Sequence, residues 1–521
     1  MAATLTNPGE AARDAVAEGE CPLTGWIPAL LGVLSLLGSC VVWSLRKPMW
    51  GDEVFSWTEL HDPSFAHLFH ALPRLGGGGM PLYYLVAWPW AHLFGCSDLS
   101  LRLCSSAGVC GAFLVLFAAL RRRFAAHAAF LGTAFGFCAS LIVLDQNSEA
   151  RGYGLYLLLA ALATAQVLRV AETDRPRVRE LILLALTQAG LVLGHTLGLL
   201  YAGLLLLALA AADLSRRRLR LRVFLACVAG WLALIPWIPA IEASAAVGRP
   251  HSWIPMPALA DLASSCSFWL FTGLYWQIPH RPAAVVAAGW LGGVACVAVM
   301  VLAAARGWQD AGRERQAAAL VGLALMLGPL AFFLVSHAIT PIFLPRYLIP
   351  SALGVSILAV AAADSARVGK GIAFTILSAL VLALPIATAL LAHPTALNVA
   401  RVDELARGQV VVCDSEKDFL LMTRYAAWPQ APRYPLDAAA ASTLPGLDTD
   451  VRLMENYRRE GYFAGKLLQG DGVPAQASFL VLDNGDAPWF RMRIEDHAPF
   501  TWTLVAQIDS TRRLIEVQRT R

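Results

Sequence analysis

Charge is scarce in this 521-residue chain: Asp, Glu, Lys and Arg supply 15% of it, while 57% is hydrophobic and the mean hydropathy is +0.57. Soluble domains are roughly 45–50% apolar and about 25% charged, so a wholly soluble protein is excluded. The formal net charge of +4 is too small for a nucleic-acid surface. Paired cysteines are lacking as well. The ten cysteines include no CxxC and no zinc-like spacing. Most, such as Cys104, Cys138, Cys227 and Cys296, sit in apolar runs where Cys behaves as a small hydrophobe, so no disulfide framework is expected. A positive n-region is also missing. Glu10, Asp14, Glu18 and Glu20 oppose a lone Arg13, which argues against a cleaved secretory signal. Leu37-Gly38-Ser39-Cys40 only faintly resembles a lipoprotein box. Residues 26–45 read as an uncleaved first span of about 20 residues.

Long apolar runs are what the chain has instead. Stretches able to cross a bilayer fall at 26–45, 102–120, 127–144, 153–170, 181–196, 197–212, 222–241, 284–305, 317–337, 347–363 and 371–392. Residues 81–95, PLYYLVAWPWAHLFG, are short, contain Pro89 and are dense in Tyr and Trp, which favour the interface. Basic clusters decide their placement: Arg121, Arg122 and Arg123; Arg169, Arg175, Arg177 and Arg179; Arg216, Arg217, Arg218, Arg220 and Arg222; Arg306, Arg313 and Arg315; Arg367 and Lys370. With 81–95 along the interface, every cluster joins the N-terminus on the cytoplasmic side, as the positive-inside rule requires. Arg46 and Lys47 are the exception. The expectation is a mainly α, polytopic bundle of about eleven spans in a bacterial-type inner or plasma membrane, N-terminus in and C-terminus out.

Three regions follow: a cytoplasmic tail over 1–25, a membrane domain over 26–393 with its first outer loop at 46–101, and an extracytoplasmic domain over 394–521. In the last, charge rises and strand-like runs occur at 409–413, 478–482 and 502–508, which predicts a small α/β fold. Residues 242–283 read as a long outer loop, 76–79 as a flexible glycine hinge, and Ala438–Ala441 as helix or linker.

Candidate chemistry gathers at the outer ends of the spans. Asp52 and Glu53 sit among Trp50, Phe55 and Trp57 just beyond the first span. A partly desolvated carboxylate there is a candidate base; the plainer reading makes Asp52 the N-cap of a helix beginning at Glu53. Arg151 and Tyr153 lie in Asp145-Gln146-Asn147-Ser148-Glu149-Ala150-Arg151-Gly152-Tyr153. Arg151 suits bidentate phosphate binding, or else headgroup contact or pairing with Glu149 or Asp145. Pro345-Arg346-Tyr347 offers the same choice. His195 and His337 read as satisfied interfacial histidines, and no metal ligands are assigned.

In order and spacing, the acidic pair, Met80-Pro81-Leu82-Tyr83-Tyr84, the Glu149-Ala150-Arg151-x-Tyr153 turn and Arg346-Tyr347 resemble the GT-C superfamily of polyprenyl-phosphate-sugar-dependent glycosyltransferases. The likeness is greatest to the family 39-like branch of protein O-mannosyltransferases and lipid A aminoarabinose transferases. The resemblance implies Asp52 and Glu53 as catalytic acids, with Asp52 the general base. It implies Arg151, Arg346, Tyr153 and Tyr347 around the phosphate of a polyprenyl-phosphate sugar, and Pro81, Tyr83 and Tyr84 at the lipid interface. It also implies transfer with inversion to a glycolipid, glycan or protein acceptor on the outer face. A divalent cation assists some relatives, but no ligand set here is sharp. Gly79 and Met80 depart from the polar residue and first proline of the pattern, which moves the phosphate-binding role onto Arg346 and Arg151. The rival readings are a noncatalytic GT-C-like subunit that binds lipid-linked sugar and a lipid-linked sugar transporter. The transporter would need polar mid-span residues, whereas the mid-spans here are Leu, Ala, Val and Gly.

Overall fold

A computed structural model of the chain describes residues 24–75, 79–248, 252–270, 283–306, 312–366, 371–392, 396–444, 446–485, 487–495, 497 and 499–520. Residues 76–78 of the glycine hinge, most of the N-terminal tail, and Arg367 and Lys370 lie outside the described residues. All eleven apolar stretches fall on helix. Among the described residues, six helices or paired helices are long and apolar enough to cross a bilayer: α1 Ile27–Arg46, Asp98–Leu120, Tyr153–Glu172, Leu221–Val247, Arg313–Ala338 and Ile372–Leu391. Twenty residues at 1.5 Å per residue give about 30 Å, the thickness of the hydrocarbon core. Gly198–Leu214 and Ser351–Ser365 are shorter apolar helices, and Val178–Gly194 and Ala283–Arg306 complete the set.

The outward faces explain why the bundle needs lipid. Ile27, Leu30, Leu31 and Leu34 of α1 are 49–62% exposed and fall at helical spacing on one face. Ile372, Ile376 and Leu380 do the same on Ile372–Leu391. An apolar surface this extended has no stable place in water. Inside, glycines let backbones touch: a Cβ on Gly154 would meet Ser105 O at 2.0 Å, and one on Gly136 would meet Ser356 Oγ at 2.0 Å. Small residues of this kind drive close helix packing where water offers no hydrophobic push. Leu37-Gly38-Ser39-Cys40 lies within α1 and is ordinary span sequence. Arg46, the exception in the charge pattern, donates from Nη1 to Ala389 O at 2.6 Å, meeting the unpaired carbonyls at the end of Ile372–Leu391.

Two segments differ from the sequence reading. The stretch 127–144 is two helices, Ala126–Cys138 and Leu141–Asn147, bent by 71°. Ser140 is extended there (φ −89, ψ 115) and interrupts the hydrogen-bond ladder. The expected loop 242–283 carries helices Ile238–Val247 and Leu259–Leu270. The expected first outer loop carries α2 Gly51–Leu60, α3 Phe65–Ala71 and α4 Pro81–Phe94. With 14 residues, α4 reaches about 21 Å, short of a full crossing.

Beyond residue 395 the chain forms a six-stranded sheet in the order β3-β2-β1-β4-β6-β5. The strands are β1 Val411–Cys413, β2 Pro432–Pro435, β3 Leu467–Leu468, β4 Ser478–Asp483, β5 Phe500–Gln507 and β6 Arg513–Arg519. The first four are parallel neighbours, with Val411 opposite Pro432 on one side and Leu480 on the other. An antiparallel β5–β6 hairpin extends the sheet through β4, pairing Val481 with Ile515. All three strand-like runs seen in the sequence are strands. Two helices of this domain matter for the site: α5 Glu416–Tyr425, after β1, and α6 Leu447–Arg459, before β3. Ala438–Ala441 is a short helix capped by Asp437, which accepts from Ala439 N and Ala440 N.

Candidate active site

Helix α2 begins where the chain leaves the first span. Its N-cap is Trp50, extended at φ −101 and ψ 172, and the side chain that caps it is Glu53, whose Oε2 accepts from Trp50 N at 3.2 Å. Asp52 is therefore not the cap. Its carboxylate, 27% exposed, meets Arg346, with Oδ2 3.1 Å from Nη1.

Glu53 is fully buried and saturated. Its Oε1 accepts from Arg102 Nε and Ala150 N, both at 2.8 Å, and its Oε2 from Arg102 Nη2 at 2.8 Å. Arg102 also donates to Lys47 O at 2.7 Å and Pro48 O at 3.1 Å. This fork welds the end of the first span, the start of α2 and the 148–152 turn into one unit. Glu53 is a positioning residue in this arrangement, because none of its oxygens is left for a substrate. Sequence reading missed Arg102. The signal was there: a cation at the start of an apolar run needs a partner, the argument already applied to Arg151 and Arg346.

Arg151 does not pair with Glu149 or Asp145. Nη1 donates to Asp52 O at 3.1 Å and Ser56 Oγ at 3.2 Å, while Nε, buried, has no hydrogen-bond partner among the described residues. Arg346 Nε is in the same state. The Arg346 guanidinium lies over Trp253 at 5.4 Å and over Trp50 and Tyr347 at 5.7 Å, so aromatic faces hold its charge in place. Two guanidinium groups with open donors thus meet at Asp52, Arg346 at its carboxylate and Arg151 at its backbone carbonyl. Burial pushes the Glu149 carboxyl in the adjacent turn up to about 7, with Glu53 and Asp145 adding to the rise.

The predicted tyrosines divide. Tyr153 and Tyr347 pack around His195, with centroids at 5.9 and 5.1 Å. His195 Nδ1 accepts from Leu197 N at 3.1 Å. Tyr83 Oη donates to Ala150 O at 3.1 Å. Tyr84 Oη donates to Glu59, and Tyr457 of the C-terminal domain donates to the same carboxylate at 2.5 Å. Glu59 and Tyr457 went unnoticed in the sequence, and nothing local marks them. Pro81 opens α4 at its first turn. His337 Nε2 lies 3.0 Å from Pro257 O, away from this cluster. Two cavities adjoin the arginines. One of about 180 Å³ runs from Arg151 along Tyr83, Val86, Trp90, Leu155 and Leu158; one of about 230 Å³ joins Arg346 to Asp145, Gln146 and Ile142. No group of three or more His, Cys, Asp or Glu able to hold a metal occurs among the described residues.

No protein-family model and no curated protein matches the sequence. Among solved structures the chain is similar to ArnT from Cupriavidus metallidurans in the apo state, with a TM-score of 0.59 at 14% identity over 95% of this chain and 98% of that one. It is also similar to ArnT from the same organism bound to undecaprenyl phosphate, with a TM-score of 0.56 at the same identity and coverage. Likeness across nearly the whole of both chains, at an identity this low, is a likeness of fold: the protein is a polytopic helical membrane protein with the GT-C fold of ArnT and a small α/β domain at its C-terminal end.

Proposed function

We propose that the chain is a membrane glycosyltransferase that moves a sugar from a polyprenyl-phosphate donor to an acceptor on the extracytoplasmic face. The observation that carries this reading is the Asp52–Arg346 pair with Arg151 beside it. Asp52 removes the proton from an acceptor hydroxyl or amine as that oxygen or nitrogen bonds to the anomeric carbon. The bond from that carbon to the phosphate oxygen breaks, its electron pair stays on the phosphate, and single displacement inverts the centre. Polyprenyl phosphate is a good leaving group and needs little acid help. It needs fixed positive charge, which Arg346 and Arg151 supply through the donors left open at each Nε. The isoprenoid tail lies along the apolar cavity that ends at Arg151, in keeping with the undecaprenyl phosphate held by the ArnT neighbour. Tyr153 and Tyr347 line the phosphate site, and Pro81, Tyr83 and Tyr84 form its lipid-side wall. Residues 26–393 form the catalytic membrane domain and 394–521 the outer domain.

The test is transfer of label from a radiolabelled polyprenyl-phosphate sugar into membrane glycans, comparing wild type with Asp52→Asn and paired with mass spectrometry of glycolipids from a deletion strain. Full cellular function in the variant would favour a noncatalytic subunit. Cysteine labelling of the 121–123 and 216–218 clusters from the cytoplasm, and of the tail from outside, tests the orientation. Labelling of the tail from the cytoplasm would overturn it.

A further inference from the structure

The C-terminal domain holds a crevice that the reaction above does not use. The sheet reverses its build direction at β1: the chain runs through α5 to β2 on one side, while β4 lies on the other. In open α/β sheets, ligands settle outside the carboxyl ends of strands at such a switch point. Here Asp414 follows β1 and Asn484 follows β4, and both line a cavity of about 290 Å³ walled by Tyr434 and Trp489.

Five carboxylates line this cavity, those of Asp414, Glu416, Asp418, Asp437 and Asp450, against the cations Lys417 and Arg512. Two have local employment. Asp418 is gripped by Arg512 Nε at 2.9 and 3.0 Å. Asp437 caps Ala438–Ala441 and holds Arg493 Nε at 2.5 Å. Asp414 Oδ1 accepts from Asn484 N at 3.3 Å, but one oxygen each of Asp414 and Glu416 is left over. Glu416 is 9% exposed and its buried Oε1 has no hydrogen-bond partner; Asp414 is 5% exposed and its Oδ2 has none either. Buried acceptors left open are costly, and two such carboxyls in the lining of one cavity suit a ligand that brings N–H or O–H groups. Burial pushes Glu416 and Asp414 well above the ordinary carboxylate range, as expected for groups short of partners.

The crevice abuts the transfer site. Helix α5 packs on α2 one residue before Asp52, where a Cβ on Gly51 would meet Lys417 Cγ at 3.5 Å. Trp253 bridges the other side: its ring faces Arg346 at 5.4 Å, and a Cβ on Gly446, just before α6, would meet its Cα at 3.3 Å.

Resting on the glycosyltransferase reading, we propose that this crevice is the acceptor site, and that it takes a neutral or amino sugar through Glu416, Asp414 and Asp450. The guanidinium of the cavity, Arg512, is already taken by Asp418 and Asp509, so an acidic sugar finds no free arginine to pair with. A saccharide seated here extends toward Asp52, which takes the proton of whichever hydroxyl or amine reaches it.

Binding is measured by saturation-transfer NMR on the full-length chain in lipid nanodiscs, without glycosyl donor, so that it is read independently of turnover. The probes are methyl β-glucopyranoside, glucosamine and glucuronate. The expected result is saturable transfer to the first two and none to glucuronate. Glu416→Gln and Asp450→Asn each weaken glucosamine binding by about ten-fold or more, while Asp52→Asn leaves it unchanged and lowers transfer by about 10²-fold or more. Stronger response to glucosamine than to the glucoside marks an amino-sugar acceptor; equal response marks a neutral one. Glucuronate binding equal to the others, or binding indifferent to both variants while each remains folded, overturns the proposal and leaves the transferase reading standing.

Discussion

Asp52 Oδ2 and Arg346 Nη1 lie 3.1 Å apart, joining the first turn of α2 to a short 3-10 turn, Pro345–Leu348, far along the chain. Side chains that are 27% and 18% exposed are neither sealed in the core nor free in water. A pair in that position is exchangeable, and on the proposed mechanism an arriving phosphate would compete with Asp52 for Arg346 and, by taking it, free the carboxylate to accept a proton.

The exchange makes Asp52→Asn informative. The amide keeps the size of the side chain but neither accepts a proton nor neutralises Arg346. Transfer should fall by about 10²–10⁴-fold, the usual worth of a general base. Affinity for the polyprenyl-phosphate donor should hold or rise, because Arg346 no longer has to leave a partner. Steady-state transfer and donor binding to the purified protein check the two halves separately. Near-normal turnover per folded molecule would remove Asp52 from the mechanism.

Arg346→Ala should lower both donor affinity and turnover, since a charge-assisted hydrogen bond contributes about 1.5–3 kcal/mol. Arg346→Lys should recover only part. Lys carries the charge but lacks the planar fork and stacks less well on the Trp50, Trp253 and Tyr347 rings. Equal loss in both variants would mean that fork geometry, rather than charge, is what the donor needs.

The bundle was legible because spans are written in composition: twenty apolar residues between basic clusters leave few alternatives. The strands at 411–413, 478–483 and 500–507 were legible from their apolar and β-branched runs. The bend at Ser140 was not, because one extended serine inside an apolar run leaves its periodicity intact. Asp52, Arg151 and Arg346 were each visible as polar groups at span ends, but their contact was not, since it joins three separate segments. Glu53 and Asp52 look interchangeable in sequence. Only the fold distinguishes the carboxylate that Arg102 saturates from the one facing Arg346. Tyr457 reaching Glu59 across 398 positions leaves no local trace at all.

Arg102 and Glu53, both fully buried, should behave as a structural pair. Arg102→Leu strands a carboxylate in the core, and breaking a buried pair in this way costs about 3–5 kcal/mol. Detergent melting curves should show a large loss, with much of the protein aggregated. Glu53→Leu combined with Arg102→Leu should recover part of that stability, because no unpaired charge remains. Activity per folded molecule in the double variant should still be reduced, since Ala150 N loses the acceptor that fixes the Arg151 turn. A double variant no more stable than Arg102→Leu alone would count against this account.

Asp450 offers a pH test in the C-terminal domain. Burial, reinforced by the neighbouring Asp52 and Asp448, pushes its carboxyl from 3.8 up to about 6. Between those values the folded chain holds more protons than the unfolded one, so stability contributed at low pH is lost as pH rises through the window. Asp450→Asn removes the charge that causes the loss. Its melting temperature should exceed that of the wild type at about pH 7.5, and most of the gain should vanish by about pH 4. Glu416→Gln should follow the same sign, because burial raises that carboxyl as well. A gain of equal size at both pH values would place its origin in packing rather than ionisation. A loss at the higher pH would mean that ionised Asp450 has a stabilising partner, and the open acceptors of the crevice would then be fewer than the structure indicates.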